Sequence, residues 1–185
     1  MSRAAELAAA LDAGGLTTEP PTAHPLSGVT ESRWIAPRSL VAAATAAQQA
    51  GFFLESMTCI DRLDPAGAGA GGSPGGAFEL LYTFNRYDEL GRVAYRVWAP
   101  RGEVVPSLAG VFGIAGWNER EAWEFYGIEF VGHPNLTWLL LPEGTGFRPL
   151  LRSFTAPPPS EYDDSLNTGA TATAAAAPEP ESSHR

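Results

Sequence analysis

The sequence predicts an α+β fold, with a small antiparallel or mixed sheet covered by helices and an extended C-terminal tail. The segments between residues 29 and 126 alternate in the order β-α-β-β-β-α, which is typical of a sheet with helices packed on it. Hydrophobic residues make up 44% of the 185 residues and include five Trp, enough for one core. Residues 155–185 hold one Arg, five acidic residues and few large apolar ones, so they cannot offset the entropy of ordering.

The first half of the predicted domain has a strand, a helix and a second strand. Residues 29–35 have strand character, and Pro37 suits a first helical position because its missing N–H would be unpaired there anyway. The Ala-rich residues 38–50 are predicted to be helical, and Gly51 suits the left-handed position that ends a helix. Residues 52–60 are then predicted to form a strand, because both ends of the segment carry residues that favour β-structure.

Two hairpins follow in the sequence pattern. Residues 64–77 are rich in Gly and Pro and predict a loop that joins two strands. Their spacing does not match a phosphate-binding glycine loop, so we interpret them as a surface insertion. Residues 78–85 and 92–98 alternate apolar with polar side chains around a turn at 88–91, which predicts an antiparallel pair.

A second helix is marked most clearly. Asn118 is predicted to cap its start, with Glu121 three residues on as the capping-box partner, and Gly127 is predicted to end it. Arg120 and Glu124 are expected on the outer, solvated side, where they form a weak pair four residues apart.

Composition excludes several kinds of chemistry. All 12 basic residues are Arg, and without Lys the chain has neither a Walker-type phosphate loop nor a Schiff-base lysine. The single Cys59 cannot form an internal disulfide or a four-thiolate cluster site, and it is expected in the core. A net charge of −9 disfavours nucleic acid as a partner. His133, between Gly and Pro, is expected to pin two segments by hydrogen bonds.

We predict three regions along the chain. Residues 1–28 form an N-terminal amphipathic helix and a linker, 29–154 form the α+β domain, and 155–185 form a disordered acidic, Pro- and Ala-rich tail. The first residues do not have the pattern of a signal peptide, and no apolar run is long enough to span a membrane.

Residues 119–134, EREAWEFYGIEFVGHP, carry a resemblance to a known family. Together with the following NLTWLLLPEG they resemble the signature of the C-type subunit of NADH-quinone oxidoreductase, the 30-kilodalton subunit family of respiratory complex I. Glu124, Tyr126, Asn135 and Trp138 depart from that signature. The matching positions are Glu119, Arg120, Glu121, Gly127, Ile128, Phe130, Gly132, His133, Pro134, Leu136, Leu140 and Pro142.

The resemblance implies a scaffold subunit with no catalytic residue and no cofactor of its own. It would dock on the large subunit of the hydrophilic arm, beside iron–sulfur subunits, at the cytoplasmic face of the cell membrane. Iron–sulfur clusters, with flavin or a nickel–iron centre, are expected in those partners. The expected interface residues are Glu119, Arg120, Glu121, Gly127, Ile128, Phe130, Gly132, His133, Pro134, Arg148 and Arg152, the last two as donors to a partner's carboxylates.

Two alternatives stay open at this level. The chain can be the equivalent subunit of an energy-converting nickel–iron hydrogenase or a formate hydrogenlyase-type complex. It can also be a free-standing binding module that uses the same fold.

Overall fold

The computed structural model describes residues 2–18, 22–24, 28–62, 76–89 and 91–156. The chain divides into two units, Met1–Phe154 and Thr155–Arg185. The predicted disordered tail lies outside the described residues from 157 onward, as does most of the predicted glycine-rich loop, 63–75. The three regions predicted along the chain stay predictions.

The helices and strands of the first unit follow the predicted α+β order. The helices are α1 (Arg3–Ala13), α2 (Leu40–Gln49) and α3 (Ala115–Tyr126). The strands are β1 (Thr22–His24), β2 (Val29–Trp34), β3 (Phe53–Asp61), β4 (Phe78–Asn85), β5 (Arg92–Ala99), β6 (Val104–Pro106) and β7 (Glu129–Val131). The sequence did not predict β1, which lies within the predicted linker, or the three-residue β6.

Five strands form one mixed sheet in the order β1-β2-β5-β4-β3. The pairs β3–β4 and β4–β5 are antiparallel, so both predicted hairpins are confirmed, whereas β2 runs parallel to β5. A parallel pair needs a crossover connection, and α2 with the two hairpin strands supplies it. Strands β6 and β7 pair in parallel as a separate two-stranded sheet.

The helices cover one face of the large sheet. Alternate side chains of β4 and β5 turn toward them, and the fully buried ones include Tyr82, Phe84 and Tyr95. Helix α2 presents Leu40 and a stripe of buried alanines, which lets the helix approach the sheet closely. The other face of the sheet carries polar side chains from the same strands.

The predicted ends of α2 and α3 are confirmed, since Gly127 ends α3 with a φ of 80°, but the predicted start of α3 is not. Ser2 caps α1 by accepting a hydrogen bond from the Ala5 amide at 3.2 Å, and Gly51 follows α2 with a φ of 85°.

Helix α3 begins at Ala115, so the predicted cap at Asn118 with its capping box is wrong. No side chain among the described residues caps the start of α3. Its first amides donate to backbone carbonyls of the preceding turn, Ala115 to Phe112 at 2.9 Å and Gly116 to Gly113 at 3.2 Å.

The core predicts a stability difference between two adjacent residues of α2. Leu40 is fully buried and Val41 is 39% exposed. Leu40→Ala should lower the free energy of unfolding by about 2–5 kcal/mol because it leaves a cavity under the sheet. Val41→Ala should change it by about 0.5 kcal/mol or less. Urea denaturation measures both, and equal costs would contradict the packing described above.

Candidate functional site

Two carboxylates of α3 are buried, although Glu124 was predicted to lie on the outer, solvated side of the helix. Glu119 and Glu124 each have no exposed surface. Glu119 accepts hydrogen bonds from the Ser107 hydroxyl at 2.5 Å and from the Leu108 amide at 2.6 Å. Burial raises the pKa of Glu119 above its ordinary value, although these two hydrogen bonds oppose the shift. Glu119 therefore ties the segment after β6 to the helix.

Glu124 holds the chain that follows β7, residues 132–154, which we call the strap. Its carboxylate accepts backbone amides from three successive residues: Leu139 at 3.0 Å, Leu140 at 3.0 and 3.1 Å, and Leu141. The strap has no helix or strand of its own, so these amides would otherwise lack partners. The predicted outer-face pair of Arg120 with Glu124 is therefore wrong.

Arg120 holds the same stretch of the strap from the donor side. It donates to the carbonyl oxygens of Thr137 at 2.9 Å and Trp138 at 2.5 Å. The two side chains of α3 thus satisfy consecutive carbonyls and amides of an irregular segment. One helix turn replaces the neighbouring strand that an extended chain normally pairs with.

Arg148 folds the later part of the strap back onto α3. Its guanidinium donates to the Glu124 carbonyl at 2.9 Å and lies 5.1 and 5.4 Å from the ring centres of Trp123 and Trp138. A Cβ at Gly127, where φ is 80°, would lie 3.4 Å from the Arg148 Nε. The positive φ is what favours glycine at this position, and the Arg148 side chain packs directly against it.

His133 pins the start of the strap to the start of α3, as predicted. Its Nδ1 accepts the Asn135 amide at 3.0 Å, so the proton lies on Nε2, which donates to the Gly116 carbonyl at 2.9 Å. Gly132, with a φ of 83°, makes the turn before it.

The predicted interface residues separate into buried, half-buried and exposed groups. Glu119, Ile128 and Phe130 are buried, so they offer no surface to a partner in this structure. Arg120, His133 and Arg148 are half-buried in the contacts described above. For the exposed residues the interface role stays a prediction: these are Glu121, Gly127, Gly132, Pro134 and Arg152.

Arg152 joins the strap to the sheet through its backbone. Its amide donates to the buried carboxylate of Asp61 at 2.9 Å, and Arg101 also pairs with that carboxylate. Cys59 is buried two residues earlier in β3, as predicted, and burial raises the pKa of its thiol.

The strap directs large apolar side chains into solvent. Leu140 is 65% exposed, Leu150 48% and Phe147 39%. Leu136 and Leu151 instead pack against the core and so anchor the strap to the domain. Exposed apolar side chains on a backbone held in place are typical of a surface that a partner covers. The sequence pattern did not single out these three exposed residues as a group.

Metal-ligand clusters and membrane-spanning helices are both absent from the part of the chain that the structure describes. Within residues 2–18, 22–24, 28–62, 76–89 and 91–156, no three His, Cys, Asp or Glu side chains come together as metal ligands. Over the same ranges, no helix is long and apolar enough to cross a membrane.

Residues 33–160 match the family described as "Respiratory-chain NADH dehydrogenase, 30 Kd subunit". The chain belongs to this family. The match includes α3, β7 and the whole strap, so Glu119 and Arg120 lie within the matched residues. The resemblance of residues 119–134 to the 30-kilodalton subunit is thereby confirmed.

Curated relatives of the 30-kilodalton family are similar over part of their length. The chain is 36% identical over 91 residues to the C-type subunit of NADH-quinone oxidoreductase from Phenylobacterium zucineum, covering 48% of this chain and 44% of that protein. It is 33% identical over 122 residues to the C-type subunit from Mesorhizobium japonicum, covering 65% and 57%. The matched stretch is thus about half the length of these relatives.

Two solved structures share the fold of the family. The structure of a trypsin-resistant fragment (1-134) of Nqo5 has a TM-score of 0.57 at 21% identity, covering 73% of this chain and all of that one. A chain of the membrane-bound sulfane sulfur reductase, an archaeal respiratory membrane complex, has a TM-score of 0.64 at 15% identity, covering 83% and 86%. At these identities the likeness establishes the fold alone.

The contacts of Glu124 predict a local effect on the strap. Glu124→Gln leaves one oxygen where a carboxylate accepted three amides, and each charged hydrogen bond contributes about 1.5–3 kcal/mol. We expect faster hydrogen exchange at the amides of Leu139, Leu140 and Leu141, by tenfold or more. Exchange in β4 should be unchanged. The exposed Glu121→Gln is the matched control, and equal exchange in both variants would contradict the role given to Glu124.

The raised pKa of Glu119 predicts a pH dependence of stability. Between the unfolded and folded pKa values the native state binds more protons than the unfolded state, so stability falls as pH rises through this window. Glu119→Gln removes that loss. Its free energy of unfolding relative to the wild type should therefore increase from about pH 4.5 upward.

Denaturant unfolding at a series of pH values measures this difference. The exposed Glu121→Gln controls for the loss of one negative charge from the helix. A constant difference between Glu119→Gln and wild type across the series would show that burial does not raise the Glu119 pKa.

Proposed function

We propose that this chain is a scaffold subunit, without catalytic residues, of a membrane-associated NADH-quinone oxidoreductase. It docks through the strap on the large subunit of the hydrophilic arm. One observation supports this proposal most directly. Three polar side chains of α3 form hydrogen bonds with the chain's own backbone: Glu119, Arg120 and Glu124. These groups are therefore engaged within the chain, whereas the exposed apolar side chains of the strap are available to a partner.

The exposed apolar side chains of the strap favour a state docked on a partner over the free chain. Its exposed Leu140 and Leu150 would each gain about 1.5–3 kcal/mol on full burial. Because the backbone is already fixed by side chains of α3, a partner does not have to order it, and that reduces the entropic cost of binding. A preformed apolar segment of this kind suits a permanent interface.

In this proposal the chain binds no cofactor. Iron–sulfur clusters and flavin belong to the partner subunits, and the chain reaches the cytoplasmic face of the membrane only through the complex. The composition supports this division, because one buried thiol and three His provide few ligands for redox centres.

An equivalent subunit of an energy-converting nickel–iron hydrogenase or formate hydrogenlyase-type complex is the second candidate. The fold also occurs in a chain of an archaeal respiratory membrane complex, a sulfane sulfur reductase, over 83% of this chain, so it is compatible with complexes other than an NADH-quinone oxidoreductase. The two candidates share the scaffold role and differ in the large subunit that covers the strap.

Copurification tests the proposed function. The tagged full chain, recovered from native membranes in mild detergent, should bring down a large subunit of the quinone-reductase type. Leu140→Ser with Leu150→Ser should weaken that association by about tenfold or more, because two apolar contacts are lost. Tyr87→Ser is the control, since Tyr87 is 94% exposed on the turn between β4 and β5, away from the strap.

The partner recovered decides between the candidates. A nickel–iron hydrogenase large subunit would support the second candidate and overturn the first. Recovery of the chain alone as a stable monomer would overturn both and support a free-standing module. Equal loss of association in the strap variant and in Tyr87→Ser would show that docking does not use the strap.

A further inference from the structure

The face of the large sheet that points away from the helices contains a depression, which we call the trough. Strand register places one row of small side chains across four strands: Ser32 beside Ala94, Ala94 beside Thr83, and Thr83 beside Ser56. Four strands span roughly 14 Å, since neighbours lie about 4.8 Å apart. Longer side chains of the adjoining rows border this floor, and the depression between them has a volume of about 310 Å³ and is open to solvent.

Ser32 gives the trough an unsatisfied polar group. The residue is 2% exposed and lines the cavity, yet its hydroxyl oxygen has no hydrogen-bond partner within the described part of the chain. Buried hydroxyls normally have a partner, because burying one without compensation is costly. A ligand atom in the trough would supply that partner.

Among the residues that the structure describes, the border of the trough carries more positive than negative charge. The carboxylate of Glu79, 1% exposed, accepts a hydrogen bond from Arg62 Nε at 2.7 Å and from Arg96 Nε at 2.6 Å. One carboxylate therefore serves two guanidinium groups. At the other end, Arg92 and Glu55 form a balanced pair. The trough is thus locally cationic in a chain of net charge −9.

Arg96 is held ready for an anion. Its guanidinium lies 4.3 Å from the ring centre of Trp34, which stacks in turn on Trp98. Only its Nε bonds to Glu79, and no acceptor for its terminal amino groups occurs among the residues that the structure describes. A fixed guanidinium with two unused amino groups suits the planar edge of an oxyanion.

We propose that the trough binds a compact small molecule bearing a carboxylate or phosphate group. The oxyanion is held by Arg96 and Arg62, and the Ser32 hydroxyl donates a hydrogen bond to the ligand. The cavity lies at the lower end of the usual 300–1,000 Å³ range for ligand sites, so it suits a molecule much smaller than a dinucleotide. This site is separate from the strap and does not depend on the proposed function.

Isothermal titration of the full chain with inorganic phosphate and with succinate, at low ionic strength, tests the site. We expect saturable binding of at least one of them at a single site; which one binds identifies the oxyanion. Ser32→Ala should weaken binding about fivefold through loss of one hydrogen bond. Because it removes a hydroxyl that has no partner among the described residues, this variant should fold as well as wild type.

Two further variants should change the binding affinity in opposite directions. Arg96→Lys, which keeps the charge but loses the planar fork, should weaken binding, whereas Glu79→Gln should strengthen it by releasing both guanidinium groups. The exposed Ser153→Ala is the matched control and should bind as wild type does. Urea midpoints measured on each variant separate a loss of binding from a loss of folding.

Three outcomes would overturn the proposal. The first is no saturable binding of phosphate or succinate to the wild-type chain. The second is binding that Ser32→Ala and Arg96→Lys leave unchanged, which places the anion elsewhere. The third is binding of a blocked tetraglutamate peptide with neither small anion bound, which makes the trough a docking surface for an acidic protein segment.

Discussion

The carboxylate of Glu124 accepts backbone amides of Leu139, Leu140 and Leu141, and the described C-terminal part of the domain depends on this interaction. An extended chain without a neighbouring strand must find partners for its backbone groups elsewhere. Here one helix provides an acceptor in Glu124 and a donor in Arg120. Burying the charge is tolerated because three amides replace its water. The result is a strap whose backbone is fixed while its apolar side chains stay in solvent.

Local sequence patterns were sufficient to predict most of the fold, but they did not predict the contacts of the candidate site. Strand alternation, Pro37 and Gly51 predict β2 to β5 and α2 because each depends on neighbours in sequence. Helix α3 and its end at Gly127 were predicted in the same way. The burial of two of its acidic residues was not, because Glu119 and Glu124 have partners 11 to 17 residues away, and such partners leave no local periodic signal. Residues 136–141 are mostly apolar, do not alternate with polar residues and are followed by Pro142. This pattern was the sign in the sequence that the backbone of the segment needed hydrogen-bond acceptors from another element.

The two faces of the large sheet serve different purposes. The helix-covered face is apolar and gives the chain its stability. The opposite face groups Arg62 and Arg96 around the single carboxylate of Glu79, above a floor of small residues. Family membership was predictable from residues 119–134, whereas the trough depends on which residues of four strands lie side by side, and the pattern along a single strand does not show this.

In the proposed arrangement the signature residues act inside the chain, so that the strap, and not the carboxylates of α3, meets the partner. Hydroxyl-radical footprinting of the free chain and of the assembled complex measures this most directly. We expect Leu140, Phe147 and Leu150 to lose reactivity on assembly, while Tyr87 keeps it. Unchanged reactivity along the strap, with protection appearing around Tyr87, would contradict that arrangement.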